Sequence, residues 1–149
     1  MKQYIGTKII KAEPAYRVDG KVFVKANIVP SGVHIEDGYK VVYPDGYESW
    51  SPKDVFEAAY RATDGMSFGL AIEAAKMGKK IVRAGWNGKN QYVELASCIS
   101  YKNGAGEIVN VEHDAIGNKA LAFVGTSGVQ MGWLASQADM LADDWHIVE

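Results

Sequence analysis

Two stretches hold side chains whose types and order suit the non-covalent capture of a small, anion-bearing ligand. The first is Gly85-Trp86-Asn87-Gly88-Lys89, with Tyr92 close behind it. An indole offers a face to a flat ring, an amide reads a base or ribose edge, and a lysine neutralises phosphate. The second runs Trp133-Leu134-Ala135-Ser136-Gln137-Ala138-Asp139. Ser136 has the type and place of a helix N-cap, and first-turn N–H groups beside Ser136 and Gln137 suit an anion or a hydroxyl. Both stretches also have purely structural readings. Asn-Gly favours a hairpin turn because both residues tolerate positive φ, and Trp86 and Trp133 are as readily core aromatics. Residue types alone leave the two readings open.

Covalent and metal chemistry find less support. His34, His113 and His146 are far apart, and none has ligand spacing, so no metal site is expected. Gly125-Thr126-Ser127-Gly128-Val129 lacks the second glycine of a nucleophile elbow. Gly88-Lys89 lacks the earlier glycine of a phosphate-binding loop. Cys98 lies in a mostly apolar segment and reads as a buried, inert thiol. Asp139 and Asp143, with Asp144, are the local candidates for an acid–base pair, although acids near a helix end are usually solvated. No cofactor is implied.

The bulk properties narrow the classes further. The 149 residues suit one compact domain or two small ones, and 48% hydrophobic with 23% charged residues is ordinary for a globular chain. A formal charge of −2 argues against binding DNA or RNA, which wants a basic stripe. With one cysteine there is no intrachain disulfide and no cysteine-cluster metal site. No apolar run approaches the roughly 18 residues that span a bilayer, and MKQYIGTKII lacks a signal peptide's apolar segment. A cytoplasmic protein with no membrane partner is expected.

The elements that must position the two stretches follow from local signals. Ser67 caps a helix in which Phe68, Leu70, Ala71, Ala74, Ala75 and Met77 form an apolar stripe, and Gly78 ends it. Ile81-Val82 begins a strand that the Gly85–Lys89 turn interrupts and Tyr92–Leu95 resumes. Before this unit the chain reads as β-rich. Strands are expected over Tyr4–Ile10, Lys21–Lys25, Gly38–Tyr43 and Tyr47–Trp50, with turns at Asp19-Gly20 and Pro44-Asp45-Gly46. Ser51-Pro52-Lys53-Asp54 opens a short helix with Val55, Phe56, Ala59 and Tyr60 on its apolar side. After it, strands are expected over Ile99–Tyr101, Ile108–Val111, Lys119–Val124 and Trp145–Val148, with a loop over Gly125–Gly128 and a helix over Gln137–Ala142. The expectation is an α+β protein: a small antiparallel β-sheet packed against two or three short helices. A β-rich N-terminal module spans residues 1–63, and a second domain spans 64–149.

Together, MSFGLAIEAAKMGKKIVRAGWNGK and WLASQADMLADDW resemble the phage-encoded Thoeris anti-defence family of the second type. The resemblance covers residues 65–149, and the helix, the G-W-N-G-K turn and the terminal S-Q-x-D-x-x-x-x-D-W fall in order. It implies a binder and not an enzyme. Such proteins capture, uncleaved, the cyclic ADP-ribose-type signal of a bacterial TIR-domain enzyme, and some relatives also hold cyclic dinucleotides. It further implies homo-oligomers, dimers pairing into tetramers, with pockets between protomers. On that resemblance, Trp86 would wall the base, Asn87 and the Gly88 N–H would bond ribose or base edges, and Lys89 would neutralise phosphate. Ser136 and Gln137 would hold a phosphate or hydroxyl, and Asp139 would shape the cap or accept a hydroxyl. Tyr92 and Trp133 would be secondary walls. Residues 1–60 resemble an N-terminal extension of some phage proteins of this kind. From a different class come an enzyme degrading the same signals, using Asp139 with Asp143, and a phage interaction module that binds no nucleotide.

Overall fold

The computed structural model describes residues 1–25, 34–98, 100–110 and 119–149. Chain contacts divide them into two compact units, Met1–Arg61 and Ala62–Glu149.

The first unit is an antiparallel sheet with one helix. Strands β1 (Lys11–Val18), β2 (Lys21–Val24), β3 (Ile35–Val42) and β4 (Glu48–Pro52) lie in the order β2-β1-β3-β4. The β1–β2 hairpin turns at Asp19-Gly20, where both φ are positive (48° and 82°), the backbone that matches strand twist. Tyr4–Ile10, expected as a strand, is not one. β1 pairs with β3 from Lys11↔Val42 to Val18↔Ile35, and β3 gives way beyond Val42 to the turn at Tyr43–Gly46. Earlier residues therefore have no strand to pair with.

Helix α1 (Lys53–Ala59) starts one residue later than its sequence signature suggests. Ser51 sits in β4 opposite Tyr39, so Pro52 takes the N-cap position without any side-chain cap. Phe56 stacks on Tyr39 at 4.1 Å between ring centres and on Tyr60 at 5.0 Å, and the Tyr39 hydroxyl donates to Glu57 at 2.9 Å. Val55, expected on the apolar side, points outward and is 60% exposed.

Ladder pairing places Arg17, Gly38 and Trp50 on the other sheet face. The Trp50 ring lies over Gly38, and Arg17 sits 4.2 Å above the indole. A side chain at Gly38 would run into the Ser51 carbonyl and into Trp50 Cζ2 at 2.7 Å. Gly38→Ala should therefore lower the stability of this sheet by about 1–3 kcal/mol, the usual cost of overpacking. Hydrogen exchange of the β1 and β3 amides is the check. Unchanged protection would mean that Trp50 moves aside freely.

The second unit carries α2 (Phe68–Lys76), β5 (Lys80–Arg83), β6 (Tyr92–Ala96), β7 (Ser100–Lys102), β8 (Ile108–Asn110), β9 (Ala120–Gly125), β10 (Gly128–Met131), α3 (Gln137–Met140) and β11 (Trp145–Val148). Five strands form one antiparallel sheet in the order β10-β9-β6-β5-β11, and β7 and β8 make a separate ribbon. Helix α2 is capped at both ends as its sequence predicts. The Ser67 hydroxyl accepts from the Leu70 N–H at 3.4 Å. At the other end Gly78 turns to φ 87°, with Gly78 N donating to Ala75 O at 2.9 Å and Lys79 N to Ala74 O at 3.1 Å. That pair of bonds is a Schellman ending, which satisfies carbonyls a simple fray would leave open.

The stripe of α2 lies on β5, β11 and β6, except for Met77, which sits past the last helical turn as the C-cap and is exposed. Met66, Ala71, Ala74, Ala75, Ile81, Val93 and Trp145 form the core, and the small alanines let the helix approach the sheet closely. Met66 and Trp145 exchange both backbone bonds, at 2.7 and 3.1 Å. Short helices on antiparallel sheets make this an α+β fold, as expected. Helix α3 stops at Met140 rather than Ala142, because the chain must straighten to deliver Asp144 and β11 to β5. Cys98 is exposed, not buried, since it follows the end of β6. Ile99, Val111 and His113, named above as strand ends and a histidine, lie outside the described residues. Among the described residues no helix is long and apolar enough to cross a membrane, and none cluster as a metal site of three or more acid, histidine or cysteine ligands.

Candidate functional site

The two stretches singled out in the sequence meet at one ion-paired cluster. Strand β5 ends at Arg83, which lies opposite Trp145 of β11. The Arg83 guanidinium forks. Its Nε donates to Asp144 Oδ1 at 2.8 Å and its Nη1 to Asp139 Oδ1 at 2.9 Å. Each carboxylate also holds the turn. Asp144 Oδ2 accepts from the Gly85 N–H at 2.8 Å, and Asp139 Oδ1 accepts from the Trp86 indole N–H at 3.0 Å. A Cβ at Gly85 would stand 3.0 Å from Asp144 Oδ2 and crowd the carboxylate that the turn's backbone holds.

Asp139 is also the third residue of a capping box. Its N–H donates to the Ser136 hydroxyl at 3.1 Å, and its Oδ2 accepts from the Ser136 N–H at 3.2 Å. The Asp139 carbonyl accepts from the Trp145 indole N–H at 2.8 Å. Side chains of Arg83 and Asp139 are only 19% and 14% exposed, so their attraction is weakly screened. Burial alone would raise the Asp139 pKa and is the largest single influence. The bonds from Trp86, Arg83 and Ser136 nevertheless bring it down to about 2. Arg83 chiefly, with the Gly85 N–H, lowers Asp144 against its own burial, and the two acids, Asp144 first, raise Arg83.

Around this cluster stand aromatic rings. Trp86 meets Trp145 and Trp133 edge-on at 5.3 and 5.9 Å between centres, and Phe123 at a tilt at 5.6 Å. Phe68 completes the group against Trp145 at 5.5 Å and Trp133 at 6.5 Å. Trp86 is thus a half-buried wall whose polar edge is tied down, not a ring standing free in solvent.

The structure brings Trp86, Trp133, Ser136 and Asp139 into contact. Asn87, Gly88 and Lys89 lie exposed on the loop leading away from Trp86, and Gln137 is exposed on α3. The Asn87-Gly88 hairpin turn is not formed. Positive φ falls instead at Asn90 (56°), because the connection from β5 to β6 is a wide loop and the two strands pair only at Ile81↔Val93. Gly88 lies against the Gln91 amide. Tyr92 is elsewhere: it borders a shallow cavity of about 410 Å³ beside Lys79, Asn90 and Gln91, with the Lys80 ammonium 4.6 Å over its ring. The Ser136 hydroxyl already serves its own cap, and α3 is a single turn. Arg83 and Trp145 are central to the cluster yet absent from the sequence-derived site. Their signal was the strand pairing itself, which no spacing rule reveals. Asp144 figures in the sequence reading only as a member of an acid pair. Here it is Arg83's partner, while Asp143 is exposed.

The comparisons with known proteins coincide with this unit. The profile of the Tad2-like family, described as the Thoeris anti-defense 2-like domain, matches residues 66–148. A protein of Bacillus phage SP01 called Thoeris anti-defense 2 is 40% identical over 88 residues, which are 56% of this chain and 94% of that protein. The match takes in the α2 helix, the Gly85–Lys89 turn and the Ser136–Asp139 cap.

Proposed function

This chain belongs to the family of Thoeris anti-defense 2-like domains and is a phage anti-defence protein; from that premise we propose that it acts as a sponge. It binds cyclic ADP-ribose-type immune signals in the infected host cell and holds them uncleaved, with cyclic dinucleotides as a second ligand class. The observation that carries this reading is the state of Asp139, without which the Asp139–Asp143 acid–base pair has only one member, and of its neighbour Asp144. Asp139 has both oxygens engaged and a pKa of about 2, and Asp144 is paired with Arg83 on one oxygen and with the Gly85 N–H on the other. A general acid or base for glycosidic or phosphodiester cleavage needs a pKa near the working pH and a free edge toward the substrate. These acids instead fix a cation and an indole in place, as a binding wall requires.

On this reading Trp86 and Trp133 line the pocket. Asn87, the Gly88 N–H and Lys89 reach the ligand from the adjoining loop, and Ser136, Gln137 and Tyr92 extend its rim. Oligomers of two or four copies, with pockets shared between protomers, agree with the apolar side chains left outside. Leu134 and Leu141 are 87% and 78% exposed, with Val129 and Met131 also in solvent.

The test is a mix-and-release assay. The protein is incubated with enzymatically made cyclic ADP-ribose isomers and cyclic dinucleotides, filtered, then heated, and both fractions are chromatographed. Loss from the filtrate with intact return on heating is the expected result, and Trp86→Ala should abolish the retention. A linear product would instead reveal an enzyme. Full recovery in the first filtrate would refute capture.

A further inference from the structure

The Arg83 fork reaches further than an ordinary ion pair, because each of its two acids also holds a different part of the turn. Asp144 fixes the turn's backbone at Gly85, and Asp139 fixes its side chain at Trp86 Nε1. Asp139 is at the same time the cap of α3, and its carbonyl anchors Trp145. We infer that Arg83 and Asp144 are positioning residues that lock the Gly85–Lys89 turn to the Ser136–Asp139 cap, so that both binding stretches present their groups as one rigid piece. This rests on the capture function proposed above.

The chemistry of the donors supports the assignment. A guanidinium is planar and presents its Nε–H and Nη1–H groups in different fixed directions, which lets it face two separate carboxylates at once. A lysine supplies a single point charge and cannot span both with that geometry. With Asp139 Oδ1 already receiving two donors and Oδ2 a third, little acceptor capacity remains for a ligand hydroxyl. Asp139 therefore serves the site by holding Trp86. It is not a direct ligand contact. A wall held this way spends less of the ligand's binding energy on ordering itself.

The experiment uses the full chain with Arg83→Lys and, in parallel, Asp144→Asn. The latter leaves one acceptor oxygen where two are needed to hold both Arg83 and the Gly85 N–H, and keeps Arg83 paired with Asp139. Two readouts are taken on each. One is the indole N–H resonance of Trp86, identified by its disappearance in Trp86→Phe, together with its exchange with water. The other is retention of enzymatically made cyclic ADP-ribose isomers on the filter. In both variants the Trp86 resonance should move toward that of a solvated indole and exchange faster. Retention should weaken about tenfold, with no additional loss when Arg83→Lys is placed on Trp86→Phe. An unmoved resonance overturns the inference, and so does a moved resonance with undiminished retention. Should Arg83→Lys fail to fold, Asp144→Asn decides by the same readouts. If the unsubstituted protein retains no nucleotide, the capture function fails; the resonance then still judges whether Arg83 holds Trp86.

Discussion

Trp145→Ala should leave the second unit barely folded. The side chain is fully buried, its ring meets Phe68, Trp86 and Trp133, and its indole N–H closes on the Asp139 carbonyl at 2.8 Å. Truncating a buried tryptophan costs about 3–5 kcal/mol in transfer and cavity terms. Whole domains are stable by only about 5–15 kcal/mol, so this one change removes a large fraction. Trp145→Phe keeps much of the ring packing but loses the indole bond to a carbonyl that still accepts from the Ala142 N–H at 3.4 Å, and should cost about 1 kcal/mol. Denaturant titration of the two variants gives the comparison directly. Equal midpoints for Ala and Phe would show that the ring's packing contributes nothing beyond its N–H.

The second large effect is expected at Asp139. Asp139→Ala strips Arg83 of one of its two acids, leaves the Trp86 indole N–H without an acceptor and removes half of the α3 cap. Removing one partner of a buried pair costs about 3–5 kcal/mol, and partial exposure puts this pair at the lower end, about 3 kcal/mol with the cap included. Acid should reproduce the loss. Because the folded-state pKa of Asp139 lies below its unfolded value, its contribution is complete above pH about 4 and disappears as pH falls toward about 2. Asp144, also lowered, adds to the same acid limb. Urea midpoints followed from about pH 6 to about pH 2 should fall steeply for the parent protein and more gently for Asp139→Asn. Parallel curves would show that Asp139 is not held ionised by the fold.

These expectations indicate which parts of the molecule could be read from residue order. Helix α2 was legible because its signals are local: a serine cap, an alanine-rich stripe and Gly78 each act within one turn of the chain. Most of the antiparallel strands were legible through alternation and turn residues, but β1, which pairs with both β2 and β3, was not, because Lys11–Val18 carries Pro14 and scattered charges in place of an apolar run. Tyr4–Ile10 misled because strand composition says nothing about whether a partner strand extends that far. The Asn87-Gly88 turn misled likewise. A hairpin dipeptide acts only where the flanking strands are paired, and β5 and β6 part after Ile81↔Val93. Trp86, Ser136 and Asp139 could be singled out by type and spacing. Arg83 could not, since its role depends on partners 56 and 61 positions away. Long-range ion pairing has no period.

The paired bonds between Met66 and Trp145 have a consequence for how such a unit joins other sequence. Thr63 lies alongside Ile147 as well, its carbonyl accepting from the Ile147 N–H at 2.9 Å. The chain thus enters and leaves the second unit through neighbouring positions, like the two ends of a buckle. A polypeptide attached before the entry disturbs no strand pairing inside, which is the arrangement that makes domains easy to extend, insert or circularly permute. Joining the two ends by a short linker and opening the chain at the exposed tip of the β7–β8 ribbon should therefore yield the same fold with a new order of elements.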